Sequence, residues 1–211
     1  MKKFLIITGG YISDYSYLLG KIKDDLSDGM FIICADSGYD YALKMGIAPN
    51  VVLGDFDSIK SEVPKSALNY PTKKDKTDTE LALDYAIEKG AKHITLLGAL
   101  GTRVDHSLAN IMLLFHYRES GAHIRIINEH NELFLAKEEN IIERSGETVS
   151  LIPLTKSLVT TKGFEYELLG SELLPGHSLG VSNVSMKENA VIKCYKGELL
   201  IIIANENSIN Y

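Results

Sequence analysis

The 211-residue chain is poor in several features that would settle its class at once. It has two cysteines, Cys34 and Cys194, far too few for a disulfide framework. Cys34 lies in the apolar run from Met30, where a thiol is a small buried hydrophobe. This cysteine usage fits a reducing, cytoplasmic compartment. No apolar run approaches the roughly 20 residues of a membrane span. The opening Met1-Lys2-Lys3 leads into an apolar stretch that Gly9-Gly10 and Asp14 interrupt too soon for a signal peptide, so a first strand is expected there. Positive charge is not in excess: 22 Lys and Arg face 28 Asp and Glu, a net charge of −6. Broad binding to nucleic acid, which needs a basic face, is thereby excluded. There is no internal repeat, no low-complexity linker, no Walker A loop, no GxGxxG, no GxSxG elbow and no His/Cys set with zinc spacing.

What remains is a clear change of pattern near Asn128. Before it, short apolar runs alternate with helical periodicity. Strands are expected at Phe4–Thr8, Met30–Ala35, Val51–Leu53, His93–Leu97 and Ile124–Ile127, and helices at Asp14–Leu26, Tyr39–Met45, Asp78–Lys89 and Val104–Glu119. In the last helix, Leu108, Ile111, Met112 and Phe115 share one face that should turn inward, with His106 and Asn110 opposite it. Apolar strands alternating with helices indicate an α/β unit with a parallel sheet covered on both faces. After the change come short alternating segments punctuated by glycine: Asn131–Ala136, Asn140–Arg144, Thr148–Pro153, Ser157–Thr161, Glu165–Leu169, Gly180–Ser185, Ala190–Tyr195 and Leu199–Ala204. These suggest an antiparallel β-sandwich or partly closed barrel. Domains are therefore expected at 1–128 and 129–211.

Each polar, glycine-containing cluster of the first half follows a strand: Gly9-Gly10, Asp36-Ser37-Gly38, Gly54 to Ser58, and Gly98 to Arg103. Parallel strands share one carboxyl edge, where open α/β sheets bind ligands, so the topology should bring these clusters together. The acidic stretch between Gly54 and Glu80 is the most informative. It carries Asp55 and Asp57 at a strand end, and Asp75 and Asp78 where a helix begins. Two carboxylates about 4 Å apart repel by roughly 1 kcal/mol in water and about 4 kcal/mol at an effective dielectric near 20. If the four meet, something cationic belongs among them. Thr77 and Glu80 fit a capping box, and Lys73, Lys74 and Lys76 can either neutralise the acids or meet a polyphosphate. Gly98 to His106 can present backbone N–H groups to an anion, with Arg103 offering a fork suited to phosphate. Asp105 has the simpler reading of a helix N-cap.

Taken in order, Ala35-Asp36-Ser37-Gly38, Gly54-Asp55-Phe56-Asp57-Ser58-Ile59, Asp75-x-Thr77-Asp78-x-Glu80-x-Ala82 and Gly98 to His106 resemble the motif set of thiamine pyrophosphokinases. In the second half, Thr160 to Leu168 and Gly180-Val181-Ser182-Asn183 are similar too. Ser37 and Thr102 stand where that family usually has glycine, and Tyr166 where some members have Trp. The resemblance implies an α/β catalytic domain followed by a β-sandwich thiamine-binding domain. It implies a homodimer with active sites between subunits, and transfer of a diphosphate from ATP to the thiamine hydroxyl with Mg²⁺. Asp55, Asp57, Asp75 and Asp78 would surround the metal and serve catalysis. Asp36, Ser37, Ser58, Gly98 and Arg103 would bind ATP, with Asp36 near nucleotide or metal. Asp105, His106, Tyr166, Ser182 and Asn183 would hold thiamine. Two other readings stay open: a different Mg²⁺-dependent phosphotransferase or phosphohydrolase on this scaffold, and a non-catalytic thiamine- or nucleotide-binding regulator.

Overall fold

The computed structural model describes residues 2–73 and 75–204. The chain divides into two compact units, Met1–Glu129 and His130–Tyr211.

The first unit is built on parallel strands β1 (Lys3–Ile7), β2 (Phe31–Ala35), β3 (Val51–Gly54), β4 (Leu68–Asn69), β5 (His93–Leu97) and β6 (His123–Ile127), in the order β6-β5-β1-β2-β3-β4. The two-residue strand β4 lies in a stretch that shows no strand pattern in the sequence. Helices α1 (Tyr15–Ser27), α2 (Gly38–Lys44), α3 (Asp78–Glu88) and α4 (Val104–His116) fill the crossovers. Leu5, Ile6, Ile7, Ile33, Leu53, Ile94, Leu96 and Leu97 are fully buried, as strands covered on both faces require. The helices start where side chains satisfy the first free amides. The Asp14 carboxylate accepts from Tyr17 N at 2.9 Å, and Thr77 Oγ1 accepts from Glu80 N at 3.2 Å.

Helix α4 corrects the expectation drawn from its periodicity. It ends at His116, not Glu119, and the residues it buries are Asn110 and Leu114. Val104, Leu108 and Met112 are exposed. The helix is turned this way because its inner side satisfies the preceding loop. Asn110 Nδ2 donates to Ala99 O at 2.7 Å, and Ser107 Oγ accepts from Gly101 N at 3.0 Å while lying 3.1 Å from Arg103 O. A buried loop carbonyl left without a partner costs about 1–3 kcal/mol.

In the second unit β7 (Asn131–Leu135), β9 (Thr148–Pro153), β12 (Asn183–Val184) and β14 (Leu199–Ala204) form an antiparallel sheet in the order β12-β9-β14-β7. Strands β8 (Glu139–Ile142), β10 (Ser157–Lys162), β11 (Ser171–Leu173) and β13 (Ala190–Lys196) form a second one, β11-β10-β13-β8. Val149, Leu151 and Ile201 from one sheet pack with Val159, Ile192 and Leu173 from the other, which makes a β-sandwich. Two expected strands are corrected. Residues 165–169 are a loop, and of the 180–185 segment only Asn183–Val184 forms a strand, with Ser185 in an isolated bridge to Phe164. Among the described residues no helix is long and apolar enough to cross a membrane. Cys34 and Cys194 are free thiols, and burial pushes the pKa of Cys34 up to about 12, which leaves it inert as a nucleophile.

Candidate active site

At the carboxyl edge of the parallel sheet the chain collects acid. Asp36 follows β2, and Asp55 and Asp57 follow β3. One ligand atom from each of the three carboxyl groups falls within 4.8 Å of the other two. At that spacing each ionised pair repels by about 1 kcal/mol in water and about 3–4 kcal/mol at an effective dielectric near 20. Asp36 and Asp55 are half-buried and Asp57 is exposed. Asp36 Oδ1 is buried and has no hydrogen-bond partner among the described residues. Three oxygens gathered against repulsion, one of them dry and unpartnered, suit a hard cation that takes oxygen ligands, and Mg²⁺ fits this set. Among the described residues, no other group of three His, Cys, Asp or Glu side chains comes together this way.

The backbone holds this arrangement in unusual conformations. Asp36 has φ +48° and Phe56, between the two other aspartates, has φ +64°. Both lie in the left-handed region that non-glycine residues seldom adopt. The Phe56 side chain packs on the core beneath the sheet, so the acidic loop is pinned at its middle. Gly54 makes the approach possible. Its φ is +145°, and a Cβ there would sit 3.2 Å from Asp36 Cα and N. Asp36 N in turn donates to Leu53 O at 2.8 Å. Beyond the acids, Ser58 Oγ donates to Asp57 Oδ1 at 2.7 Å, and Asp40 accepts from Lys60 N at 2.9 Å and Ser61 N at 3.0 Å. Burial opposes ionisation of Asp40, but these hydrogen bonds outweigh it and its pKa is lowered.

Ser37 and Ser58 line one cavity of about 510 Å³, together with Asp40, Tyr41, Lys44 and Lys60 among others. Ser37 has room because Gly9 faces it: a Cβ on Gly9 would run into Ser37 Oγ. The loop after β5 is fastened to the loop after β1. Gly10 N donates to Gly98 O at 2.7 Å, Tyr11 N to Leu100 O at 3.0 Å, and Thr8 Oγ1 to Gly98 O at 2.5 Å.

Asp75 and Asp78 lie outside the group of three. Asp78 is the first residue of α3 and puts Oδ1 out of contact with solvent, while Asp75 is exposed. Lys76 neutralises helix acids instead, at 2.6 Å from Asp84 and 3.5 Å from Glu80. Glu80 therefore supplies the amide half of the expected capping box, while its carboxylate faces Lys76. Lys74 lies outside the described residues.

Arg103 and Asp105 hold each other. The Arg103 Nε and Nη2 donate to the two Asp105 oxygens at 3.2 and 2.5 Å. This fork keeps the Asp105 pKa at about 2, below its ordinary 3.8. Asp105 is not the N-cap of α4. That position belongs to Arg103, and Asp105 with exposed His106 occupies the first turn.

In the second unit Tyr166 is 68% exposed, an aromatic face available to a ligand. Asn183 is buried, and its amide is spent on the Tyr166 backbone. Oδ1 accepts from Tyr166 N at 3.1 Å and Nδ2 donates to Tyr166 O at 2.6 Å. Ser182 next to it is in the left-handed region, φ +56°, with its amide donating to Ser150 Oγ at 3.0 Å.

Family models meet the two units in turn. One described as thiamin pyrophosphokinase, catalytic domain, matches residues 23–126, and one described as thiamin pyrophosphokinase, vitamin B1 binding domain, matches residues 132–199. The chain belongs to the thiamine pyrophosphokinase family. It is 34% identical to the thiamine pyrophosphokinase of Bacillus subtilis, over 96% of this chain and 98% of that protein. The crystal structure of a Bacillus subtilis thiamine pyrophosphokinase superposes with a TM-score of 0.86 at 29% identity, covering 97% of this chain and all of that one. The structure from Geobacillus thermodenitrificans does so with 0.82 at 27% identity, covering 96% and 97%. The two models fall on the α/β unit and the β-sandwich in the order read from the motifs.

Sequence reasoning missed four residues that shape this site. Thr8, Ser107 and Asn110 brace the loop that carries Arg103, and Glu129 braces the loop after β1. The cluster of His106, Ser107 and Asn110 on the face opposite the apolar stripe was the available signal. Glu129 carried none, since it sits where the pattern changes.

Proposed function

We propose that this chain transfers the terminal diphosphate of ATP to the hydroxyl of thiamine, releasing AMP. The thiamine oxygen attacks the β-phosphorus and the bond from that phosphorus to the α,β-bridging oxygen breaks. The observation that carries the proposal is the convergence of Asp36, Asp55 and Asp57 at the sheet edge of a chain with this family membership. Asp36, Asp55 and Asp57 would hold Mg²⁺ directly, and Asp75 and Asp78 would reach it through bound water. When bound, the metal neutralises the negative charge of the triphosphate.

The chain's own groups do the positioning, which is most of what such transfers require. Ser37 and Ser58 place the nucleotide in the cavity beside Asp57, and the Gly98 loop presents backbone amides to the phosphates. Arg103 turns its fork from Asp105 to the phosphates, which frees the Asp105 carboxylate to accept the hydrogen bond of the thiamine hydroxyl and orient its oxygen. His106 flanks it. Tyr166 stacks on a thiamine ring, Ser182 contacts it, and Asn183 acts through Tyr166 by fixing its backbone. The first unit is thus the catalytic domain and the second the thiamine-binding domain. The enzyme acts in the cytoplasm as a homodimer, each copy bringing its Tyr166 to the other's acidic edge. The exposed Val104, Leu108 and Met112 of α4 support self-association.

The test is AMP formation from ATP in Mg²⁺ with and without thiamine. AMP released at the same rate in both would leave a phosphohydrolase, and none in either would leave a binding protein. A single-copy mass in sedimentation at micromolar concentration would remove the homodimer.

A further inference from the structure

We propose that Glu129 is a positioning residue for the nucleotide loops, a role that rests on the reading of the site given above. Glu129 lies just after β6 and is 6% exposed. Three donors converge on its Oε1: Ser13 N at 2.6 Å, Asp14 N at 2.8 Å and Ser13 Oγ at 3.0 Å. A carboxylate taken out of water costs several kcal/mol unless hydrogen bonds replace its hydration, so an apolar side chain would pack here at less cost. What the carboxylate adds is a fixed anchor made of charge-assisted bonds, roughly twice as strong as neutral ones.

The anchor is one end of a continuous path. Residues 10–14 run from the end of β1 to the N-cap of α1. Their far end is held by Glu129, and their near end is hydrogen-bonded to the second loop through Gly10 N to Gly98 O and Tyr11 N to Leu100 O. That second loop carries Arg103. Glu129 therefore touches no substrate. It sets the position of the loop against which the Gly98–Arg103 loop is registered. Releasing it shifts the phosphate-facing amides and Arg103, while the thiamine-holding side chains of the β-sandwich are untouched.

The experiment uses the whole protein and reads binding of β,γ-methylene-ATP by calorimetry in Mg²⁺, alongside steady-state KM values. Glu129→Asp keeps the charge but shortens the reach, whereas Glu129→Gln keeps the reach and offers one amide oxygen to the same donors. We expect Glu129→Asp and Glu129→Ala to weaken analogue binding and raise KM for ATP at least tenfold. KM for thiamine should rise less, by no more than about threefold, because Asp105 moves with the loop while the β-sandwich side chains do not, and Glu129→Gln should bind within threefold of wild type. Hydrogen exchange at Ser13 and Asp14 should quicken in the Asp and Ala variants alone. Equal losses for both substrates, or analogue binding unchanged in Glu129→Asp despite faster exchange, would overturn the proposal. So would the reverse order, with Gln impaired and Asp intact. Should Glu129→Ala fail to fold, the Asp and Gln pair decides. Wild-type protein that binds the analogue but forms no thiamine-dependent AMP would overturn the assigned reaction and leave the loop anchor standing.

Discussion

Replacing Gly54 by alanine tests whether the acidic edge depends on backbone that only glycine supplies. The new Cβ is charged twice. At φ +145° an L-residue is in a sparsely populated region, which costs about 1–3 kcal/mol. The Cβ also lands 3.2 Å from Asp36 Cα and N and 3.3 Å from its Cβ, so the Asp36 turn must give by a few tenths of an ångström. Together these amount to about 2–3 kcal/mol, which at about 2–4 °C per kcal/mol for a chain of this size lowers Tm by about 4–12 °C. A 1 Å misplacement of a positioned group can cost about a hundredfold, so a shift of a few tenths should lower kcat about three- to tenfold. Gly20 is the control. It lies inside α1 with nothing within 4 Å of an added Cβ, and Gly20→Ala should stabilise by about 0.5–1 kcal/mol. Urea unfolding and AMP formation are measured on both variants. A Gly54→Ala protein as stable and active as wild type would refute the account of how Asp36 is brought to Asp55 and Asp57.

Asp57→Asn should lower kcat/KM at least a hundredfold, since the loss of a metal-organising carboxylate costs several kcal/mol. Its melting without Mg²⁺ should be at or above that of wild type, because the repulsion from Asp36 and Asp55 is relieved, and the rise in Tm that Mg²⁺ gives the wild type should shrink; turnover within a few-fold would remove Asp57 from the metal. Asn183→Ala strips both hydrogen bonds from the Tyr166 backbone, at a cost of about 2–3 kcal/mol. KM for thiamine should rise tenfold or more with KM for ATP unchanged, and a parallel rise in both would count against the Tyr166 assignment. A pH series compares wild type with Glu129→Gln. Burial, the largest influence on Glu129, raises its pKa, but the hydrogen bonds from Asp14 and Ser13 together carry it below its ordinary 4.5. A depressed carboxylate stabilises fully above its unfolded pKa and loses that contribution as pH falls through the folded value. The wild-type advantage in urea midpoint should be constant from pH 7 to about 5 and shrink progressively as the pH falls below about 4.5; an advantage that grew on acidification, or that was already lost above pH 5, would contradict it.

The α/β unit was legible because its strands are buried on both faces and leave unbroken apolar runs, and every expected strand and helix of that half is present. Asp55 and Asp57 could be read as a site from their place after a strand. That Asp36 completes their group needed the parallel order β2-β3, which puts two strand ends side by side. Helix α4 misled because its apolar stripe faces outward: periodicity reports which residues share a face, not which face the neighbouring loop claims. Residues 165–169 alternate like a strand, yet Asn183 takes the Tyr166 amide and carbonyl, and Thr161 Oγ1 takes the Leu168 amide. Side-chain partners interrupt the ladder there, leaving only Glu165 N to Val184 O and Thr161 N to Leu168 O between backbones, and no local pattern announces that.

The place of β1 has a consequence for the making of the protein. It leaves the ribosome before every other strand described, yet it lies inside the sheet, paired with β2 on one side and β5 on the other. Its second neighbour is not synthesised until Leu97. At about 5–20 residues per second, the edge carrying Phe4, Leu5, Ile6 and Ile7 stays open for roughly 5–18 s of each translation. During that interval the nascent chain offers an apolar strand edge to any other chain that meets it. Conditions that slow elongation between codons 35 and 97 should therefore lower the soluble yield of this protein more than pauses placed after them.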